Sequence, residues 1–219
     1  MIHVYGIVDE LDALPPVAGL EDAPLERRRV GELELVVSRA SGEPAGEVSR
    51  EAVLRHAEVV EELMSRSRAV LPAQFGREFG DEDELEAAVR TQVSELQRGL
   101  ERVGGCVEFG LRVLGEVEVG RLAHASSGTE YMRERLAESK RRDRLVAELH
   151  EPLARLSRAT VLAHPRTSLL EAAYLVAAEK VGAFRATVAR LEEARPELTL
   201  VCAGPWAPYS FATAPEEAE

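Results

Sequence analysis

The chain has 219 residues, a formal net charge of −12 and two cysteines. The negative charge argues against a protein that coats nucleic acid, because phosphate contacts need a cationic face, and two cysteines cannot hold together a disulfide-rich secreted domain. No run approaches the roughly 18 uninterrupted apolar residues of a membrane span, and residues 1–6 lack the pattern of a secretory signal. We therefore expect an acidic cytoplasmic protein, with enough apolar residues for a sizeable core.

The first part of the chain predicts three strands. Residues 2–8 are mostly β-branched or aromatic and favour a first strand. Two short runs at 25–30 and 33–37 are separated by Gly31 and Glu32, and this spacing predicts a β-hairpin. A loop with two glycines and a proline is expected at 41–47.

A helix and a short extended segment are expected next. Ser49 is a favourable N-cap for a helix that ends near Ser67. Residues 70–76 then predict an extended segment, and Pro72 places it at a sheet edge or at a bend, because proline has no N–H group for a ladder. Apolar residues at helical spacing predict the buried stripe of the helix: Val53, Ala57, Val60 and Met64, with Leu54 and Leu63 beside them.

Asp81 and Glu84 have the spacing of a capping box at the start of another helix. Apolar residues on one face predict that this helix is continuous to Val103, where Gly104 and Gly105 end it. Residues 1–105 are therefore expected to form a small antiparallel sheet with two helices.

The second part of the chain predicts a β-α-β-β-α-β order, which is that of a ferredoxin-like sandwich. Ser127 has the position of a cap for the first of these helices, and Pro152 should kink or end it. The expected elements are a strand at 106–114, a helix at 127–156, strands at 160–163 and 169–176, a helix at 181–195 and a strand at 198–202.

These patterns predict an α+β chain with two domains. The predicted division is an N-terminal antiparallel sheet with helices at 1–105, a ferredoxin-like sandwich at 106–203, and an aromatic proline-rich segment with an acidic tail at 204–219.

The long helix predicted at 127–156 combines an apolar stripe with a basic cluster. Residues 133–144 include six basic side chains, with Glu134, Glu138 and Asp143 interleaved. This alternation predicts a solvated face with ion pairs four residues apart, and the alternative is a contact surface for an acidic partner helix. The predicted apolar stripe consists of Met132, Leu136, Val146, Leu149, Leu153 and Leu156.

No catalytic constellation is visible, so an enzyme is not expected, and no metal or cofactor is expected either. The sequence has no phosphate-binding loop, no nucleophile elbow and no histidine pair with metal-ligand spacing. His56, beside the apolar stripe of its helix, is interpreted as a hydrogen-bonded boundary residue. The other histidines, at 3, 124, 150 and 164, are interpreted as scattered surface or boundary residues.

The two cysteines are 96 positions apart and form no CxxC motif. In a ferredoxin-like order the first and last strands are neighbours, so we expect the Cα atoms of Cys106 and Cys202 within roughly 10 Å of each other. Both thiols are expected to be reduced, because cytosolic disulfides are rare.

The segment 204–211 contains the only tryptophan, a tyrosine and a phenylalanine together with two prolines. Proline restricts the backbone, so such a segment loses little entropy when it docks. It can dock on its own domain or on a partner, because aromatic side chains with a polar group suit both.

Several motifs resemble the gas vesicle protein F/L family (GvpL/GvpF). The family ends in a Gly-Pro-Trp-Pro-Pro-Tyr-Ser-Phe run, and this chain matches it with Ala207 in place of one proline. The family's Leu-Pro-x-x-Phe-Gly segment is also present, and Glu108 and residues 173–176 fit further family segments. The motif residues that this resemblance marks for partner binding are Leu71, Pro72, Phe75, Gly76, Gly204, Pro205, Trp206, Pro208, Tyr209 and Phe211.

The resemblance implies an accessory protein of gas vesicle assembly or a minor structural component of the vesicle, with an α/β N-terminal domain and a modified ferredoxin-like C-terminal domain. Its implied partners are the small hydrophobic shell protein and other gas vesicle accessory proteins. Shell subunits expose apolar patches before assembly, and such patches aggregate unless they are covered. A binder with a net charge of −12 would keep the complex soluble, through an exposed sheet edge or the aromatic segment.

The alternative from another class is a small-molecule-binding or enzymatic α+β sandwich with a groove near Trp206. A ligand retained in native mass spectrometry would favour this alternative. A neighbouring reading frame for a short apolar shell protein would favour the assembly protein.

Overall fold

The computed structural model describes residues 1–39, 49–115, 128–163 and 168–212. Several expectations lie outside the described residues: the loop at 41–47, the cap at Ser127, His124, His164 and the acidic tail. The chain divides into two compact units. One unit contains residues 1–107 together with the described residues from Trp206 onwards, and the other contains Glu108–Pro205. The division into 1–105, 106–203 and 204–219 that the sequence predicts stays a prediction.

The first unit is built on an antiparallel sheet whose strand order is β2-β3-β1-β4, with the short β5 also paired to β1. Pro72 lies in β4 at the edge of this sheet, as its missing N–H group predicts. The predicted hairpin is confirmed in β2 and β3. The strands are β1 (Ile2–Asp9), β2 (Leu25–Val30), β3 (Leu33–Arg39), β4 (Ala69–Pro72) and β5 (Glu78–Phe79).

Helix α1 (Arg50–Arg66) is capped by Ser49, whose side chain accepts a hydrogen bond of 3.0 Å from the backbone N–H of Ala52. Its buried face differs from the predicted stripe. Val53 and Leu54 are 38% and 59% exposed, because a different face of α1, which includes the polar residue His56, packs against the core. The buried residues are His56, Val59, Val60 and Leu63.

The single helix predicted up to Val103 is two helices, α2 (Glu82–Thr91) and α3 (Val93–Val103). Gln92 interrupts them with φ −120° and ψ 10°. It lies between two β-branched residues, whose restricted side-chain rotation lowers helix propensity. The capping box is confirmed at Asp81, which accepts from the Glu84 N–H, and the Glu84 carboxylate reaches back to the N–H of Gly80.

The second unit contains a four-stranded sheet of order β7-β8-β6-β9. Its described elements follow the predicted β-α-β-β-α-β order, and the predicted α+β fold class is confirmed. The elements are β6 (Cys106–Leu114), α4 (Gly128–Ala154), β7 (Ala159–Leu162), β8 (Leu170–Ala177), α5 (Val181–Ala194) and β9 (Thr199–Trp206).

The last strand is longer than predicted, because β9 continues past Cys202 to Trp206. Gly204 allows this continuation. A Cβ atom at Gly204 would lie 2.6 Å from the carbonyl oxygen of Glu108, and its φ of +124° favours glycine. Neither cysteine is in a disulfide, and Cys106 is buried while Cys202 is exposed. They lie on the neighbouring strands β6 and β9, and the distance between their Cα atoms stays a prediction.

Helix α4 has two different halves. Leu149 and Leu153 are fully buried, and the helix ends at Ala154, two residues after Pro152. The predicted apolar stripe is wrong in the first half, because Met132 and Leu136 are 66% and 57% exposed. The part of α4 from 129 to 144, where every residue except Glu138 is exposed, is called the α4 arm below.

Candidate functional site

The first unit contains an open, largely apolar cavity between its sheet and the helices α2 and α3. Its volume is about 340 Å³, within the size range of ligand pockets. β1, β3, β4 and β5 contribute one wall, the two helices the opposite wall, and the C-terminal segment a further side. The apolar lining includes Val4, Ile7, Leu71, Leu85, Val89 and Leu96.

Polar side chains border this cavity where it meets solvent. Gln74, Arg77 and Tyr209 line it and are themselves exposed. The Arg77 guanidinium lies over the ring of Phe79, 5.3 Å from its centroid. Among the described residues no carboxylate pairs with this guanidinium. The cavity thus combines an apolar interior with a cationic rim.

Tyr209 places a neutral hydroxyl at this rim. Although Tyr209 is 36% exposed, partial burial raises the pKa of its phenol to about 12, and the negative charge of Glu61 adds to this effect. The hydroxyl therefore keeps its proton at neutral pH and can both donate and accept a hydrogen bond.

The C-terminal aromatic segment docks within its own unit. Ala207, Pro208 and Phe211 are buried, and Ala207 belongs to the core cluster around Tyr5. The guanidinium of Arg102 donates a hydrogen bond of 2.6 Å to the carbonyl oxygen of Phe211. Intramolecular docking, one of the two alternatives left open by the sequence, is therefore observed for these residues.

Trp206 behaves differently from the residues that follow it, because it remains 47% exposed. The other two residues at the start of the motif lie in the second unit, where Gly204 packs against β6 and Pro205 is exposed. The C-terminal motif therefore contributes some of its residues to the core of the first unit and leaves others exposed.

A buried histidine pair lies under the segment that carries the Leu-Pro-x-x-Phe-Gly motif. His3 on β1 and His56 on α1 are 0% and 2% exposed. A ring nitrogen of His56, Nε2, is 2.9 Å from the carbonyl oxygen of Ala73. The other, Nδ1, is 2.9 Å from Nε2 of His3.

This geometry determines where the protons are. A carbonyl oxygen only accepts, so Nε2 of His56 must donate to Ala73, and Nδ1 of the neutral His56 ring must then accept from His3. Nδ1 of His3 consequently has no proton and no hydrogen-bond partner, with Oε1 of Glu78 3.5 Å away. Burial lowers the pKa of both rings to about 4, so both are neutral at pH 7.

Phe75 connects the motif to this pair. Its ring centroid lies 5.8 Å from that of His3 and 5.7 Å from that of His56. Gly76 follows at a turn with φ +84°, a conformation that favours glycine. Residues of the Leu-Pro-x-x-Phe-Gly motif therefore lie at two different places. Leu71 and Pro72 line the cavity, and Phe75 packs against the two histidines.

Of the ten residues marked from the sequence, the cavity brings together Leu71, Pro72 and Tyr209. Sequence reasoning missed Arg77 at the rim, and it wrongly placed His3 at the surface or a boundary. His56 is hydrogen-bonded, as expected, but it is buried rather than at a boundary. A signal for His3 existed, because it lies inside a run of apolar residues that are buried on both faces of β1.

The described residues contain no group of three or more potential metal ligands. Within the same residues, no helix has the length and apolar character needed to cross a membrane.

Comparison with known proteins decides the family. The model of the family described as "Gas vesicle synthesis protein GvpL/GvpF" matches residues 1–213. The chain belongs to this family. Gas vesicle protein L of Streptomyces sp. (strain CB03234) is 27% identical over 254 aligned positions, which cover 98% of this chain and 94% of the relative. Gas vesicle protein F1 of Halobacterium salinarum is 26% identical, with 96% and 92% covered.

Solved structures of GvpF proteins have the same fold. The crystal structure of GvpF from Anabaena sp. PCC7120 matches with a TM-score of 0.81 at 18% identity and covers 98% of this chain and 99% of that one. GvpF from Microcystis aeruginosa matches with a TM-score of 0.79, also at 18% identity, covering 97% and 99%. At this identity the likeness concerns the fold alone.

Proposed function

We propose that this GvpL/GvpF family member is a non-enzymatic accessory protein of gas vesicle assembly that binds the hydrophobic shell protein. It would act in the cytoplasm and on the vesicle, together with other gas vesicle accessory proteins. The observation that carries the proposal is the open apolar cavity, which the motif residues Leu71, Pro72 and Tyr209 help to line.

The physical argument concerns apolar surface that must stay covered. A compartment that holds gas needs an apolar inner wall, so its subunits expose apolar patches before they assemble, and such patches aggregate. An apolar side chain of the shell protein can enter the cavity, while Gln74, Arg77 and Tyr209 contact polar groups beside it. The net charge of −12 would keep the complex in solution.

The other motif residues would act by holding or extending this site. Phe75 and Gly76 shape the segment between Pro72 and the rim, and Pro208 and Phe211 anchor the C-terminal side. Trp206, with nearly half its surface exposed, offers an additional aromatic contact. Gly204 and Pro205 lead β9 into this segment.

A matched pair of variants on α2 tests the site. Ala88 lines the cavity, and its neighbour Ala87 is exposed and does not line it. Ala88→Leu fills part of the cavity without removing an existing contact, so capture of the purified shell protein should weaken about tenfold, whereas Ala87→Leu should bind like the wild type.

Circular dichroism would verify that both variants are folded. Equal capture of the shell protein by both variants would show that this protein does not bind in the cavity. Failure of the wild-type chain to capture the shell protein would refute the binding function altogether.

The alternative function is a small-molecule-binding or enzymatic α+β protein with a groove near Trp206. The observation in its favour is that the cavity has the volume of a ligand pocket and an arginine at its rim. Trp206 does not line this cavity, but Tyr209 does. Native mass spectrometry of the purified chain tests the alternative, because a retained small molecule that Ala88→Leu expels would favour it over the shell protein.

A further inference from the structure

The α4 arm stands away from the core over four turns of helix. Every residue from Thr129 to Arg144 is exposed except Glu138, which is half-buried. At 1.5 Å per residue the arm is about 24 Å long. It therefore presents nearly its whole circumference to solvent in the described part of the chain.

The charges of the arm differ from those of the rest of the protein. The arm carries six basic and four acidic side chains, in a chain whose net charge is −12. The ion pairs that the alternating sequence predicts are not seen, among the described residues, for five of these six cations. Arg133, Arg135, Lys140, Arg141 and Arg144 make no ion pair or hydrogen bond with the described residues. Arg–Glu pairs do form on α1, on α2 and just after the end of α4.

The arm also exposes large apolar side chains. Met132 and Leu136 are 66% and 57% exposed, and Tyr131 is 42% exposed. Met132 and Leu136 are four residues apart and therefore lie one above the other on the same face. At 100° per residue, Arg133 and Lys140 lie on one side of this stripe and Arg135 on the other. A narrow apolar stripe between cations is the complement of an acidic amphipathic helix.

We propose that the α4 arm is a docking surface for an acidic amphipathic helix of a partner protein. Such a helix would cover Met132 and Leu136 with its own apolar stripe and would pair its carboxylates with the flanking cations. This surface lies in the second unit and is independent of the cavity of the first.

The same observations disfavour the other occupants. Insertion into a membrane surface needs a wide apolar face rich in large side chains, and the arm has a stripe of two residues with Tyr131 nearby. A nucleic acid has no apolar stripe to cover Met132 and Leu136, and its unbroken row of phosphates cannot avoid the carboxylates that are interleaved with the cations. A second copy of the arm would bring cations against cations, because basic side chains flank the stripe in both copies.

The test uses a fluorescein-labelled helical peptide of about three heptads with leucine at positions a and d and glutamate at e and g. Fluorescence anisotropy with the full chain should show binding that weakens as salt is added, because exposed charges are screened. The triple variant Arg133→Glu, Arg135→Glu, Lys140→Glu should weaken binding more than about tenfold. Met132→Gln with Leu136→Gln should weaken it by about the same factor.

The matched control reverses two exposed arginines outside the arm, Arg90 on α2 and Arg98 on α3, and should leave binding unchanged. All substitutions are at exposed positions, and circular dichroism verifies the helix content of each variant.

Absence of binding by the wild-type chain, or equal binding by the arm and control variants, would overturn the proposal. So would stronger arm-dependent binding to vesicles containing phosphatidylserine or to duplex DNA, and so would arm-dependent dimerisation of the chain without peptide.

Discussion

The cavity of the first unit and the α4 arm of the second differ in almost every physical property. The cavity is concave and its interior is largely apolar, and the buried histidines of the same unit are neutral. The arm is convex, and five of its six cations make no ion pair or hydrogen bond with the described residues, the exception being Arg142, which donates to the carbonyl oxygen of Ser168. The comparison shows two ways to prepare a surface for contact within one chain. The first unit offers an open apolar cavity that its fold has already formed. The α4 arm instead offers apolar and charged side chains that are exposed.

The largest expected effect concerns pH and the histidine pair. Folding lowers the pKa of His3 and of His56 from 6.5 to about 4, so between these pH values the unfolded chain binds more protons than the folded one. The free energy of unfolding of the first unit should therefore fall as the pH falls from 6.5 to 4, by about 3 kcal/mol for each ring. Above pH 6.5 these rings should contribute no further change.

Urea unfolding at several pH values, followed by the fluorescence of Trp206, measures this effect, because the only tryptophan of the chain belongs to the first unit. The variant His3→Phe with His56→Leu should lose most of the slope between pH 6.5 and 4. A slope that stays the same in this variant would assign the acid sensitivity to carboxylates instead.

The next effect compares a leucine of the cavity with one of the arm. Leu85 is 1% exposed and lines the cavity, whereas Leu136 is 57% exposed. Leu85→Ala should lower the free energy of unfolding by about 2–3 kcal/mol, because it removes buried contacts. Leu136→Ala should change it by less than about 0.5 kcal/mol. Urea unfolding followed by circular dichroism measures both, and a large loss at Leu136 would show that the arm is packed in solution.

A smaller effect is expected at the helix cap of the first unit. Ser49 accepts a hydrogen bond from Ala52, so Ser49→Ala should lower the free energy of unfolding by about 1 kcal/mol. Ser139→Ala, at an exposed position on the arm, is the control and should have no measurable effect. Thermal unfolding monitored by circular dichroism compares the two, and equal melting temperatures would mean that the cap bond is not formed.

The smallest effect on stability is expected for the charges of the arm. Arg144→Glu removes an exposed cation that has no partner among the described residues, so the free energy of unfolding should change by less than about 0.5 kcal/mol in low salt. The same urea titration measures it. A clear loss would indicate a contact that stabilises the folded chain itself, and the arm would then have a role within the chain.

Features fixed by neighbouring residues were predictable from the sequence. The cap at Ser49, the capping box at Asp81 and the hairpin around Gly31 depend on hydrogen bonds and backbone angles within a few positions. The strand at 106–114 was equally predictable, because apolar residues alternate there with polar residues or glycine, and side chains of a strand point to opposite faces in turn.

Features decided by tertiary contacts were not predictable in the same way. The face of α1 that is buried includes His56, because its ring is hydrogen-bonded to His3 and to Ala73, both distant in sequence. The exposure of Met132 was missed for a related reason. Helical spacing shows that residues share a face, and it does not show whether that face contacts anything. Arg77 carried no motif that would place it at the rim of a cavity.

The chain order of the first unit has a consequence for protein synthesis. Its core includes Ala207 and Phe211, which leave the ribosome about a hundred residues after the rest of that unit, because the second unit lies between them in the sequence. At the usual rate of synthesis this delay lasts about 5–20 s. The first unit must therefore wait, with an incomplete core, until almost the whole chain has been made. A transcript cut short anywhere in the second unit would yield a product whose first unit lacks these two core residues.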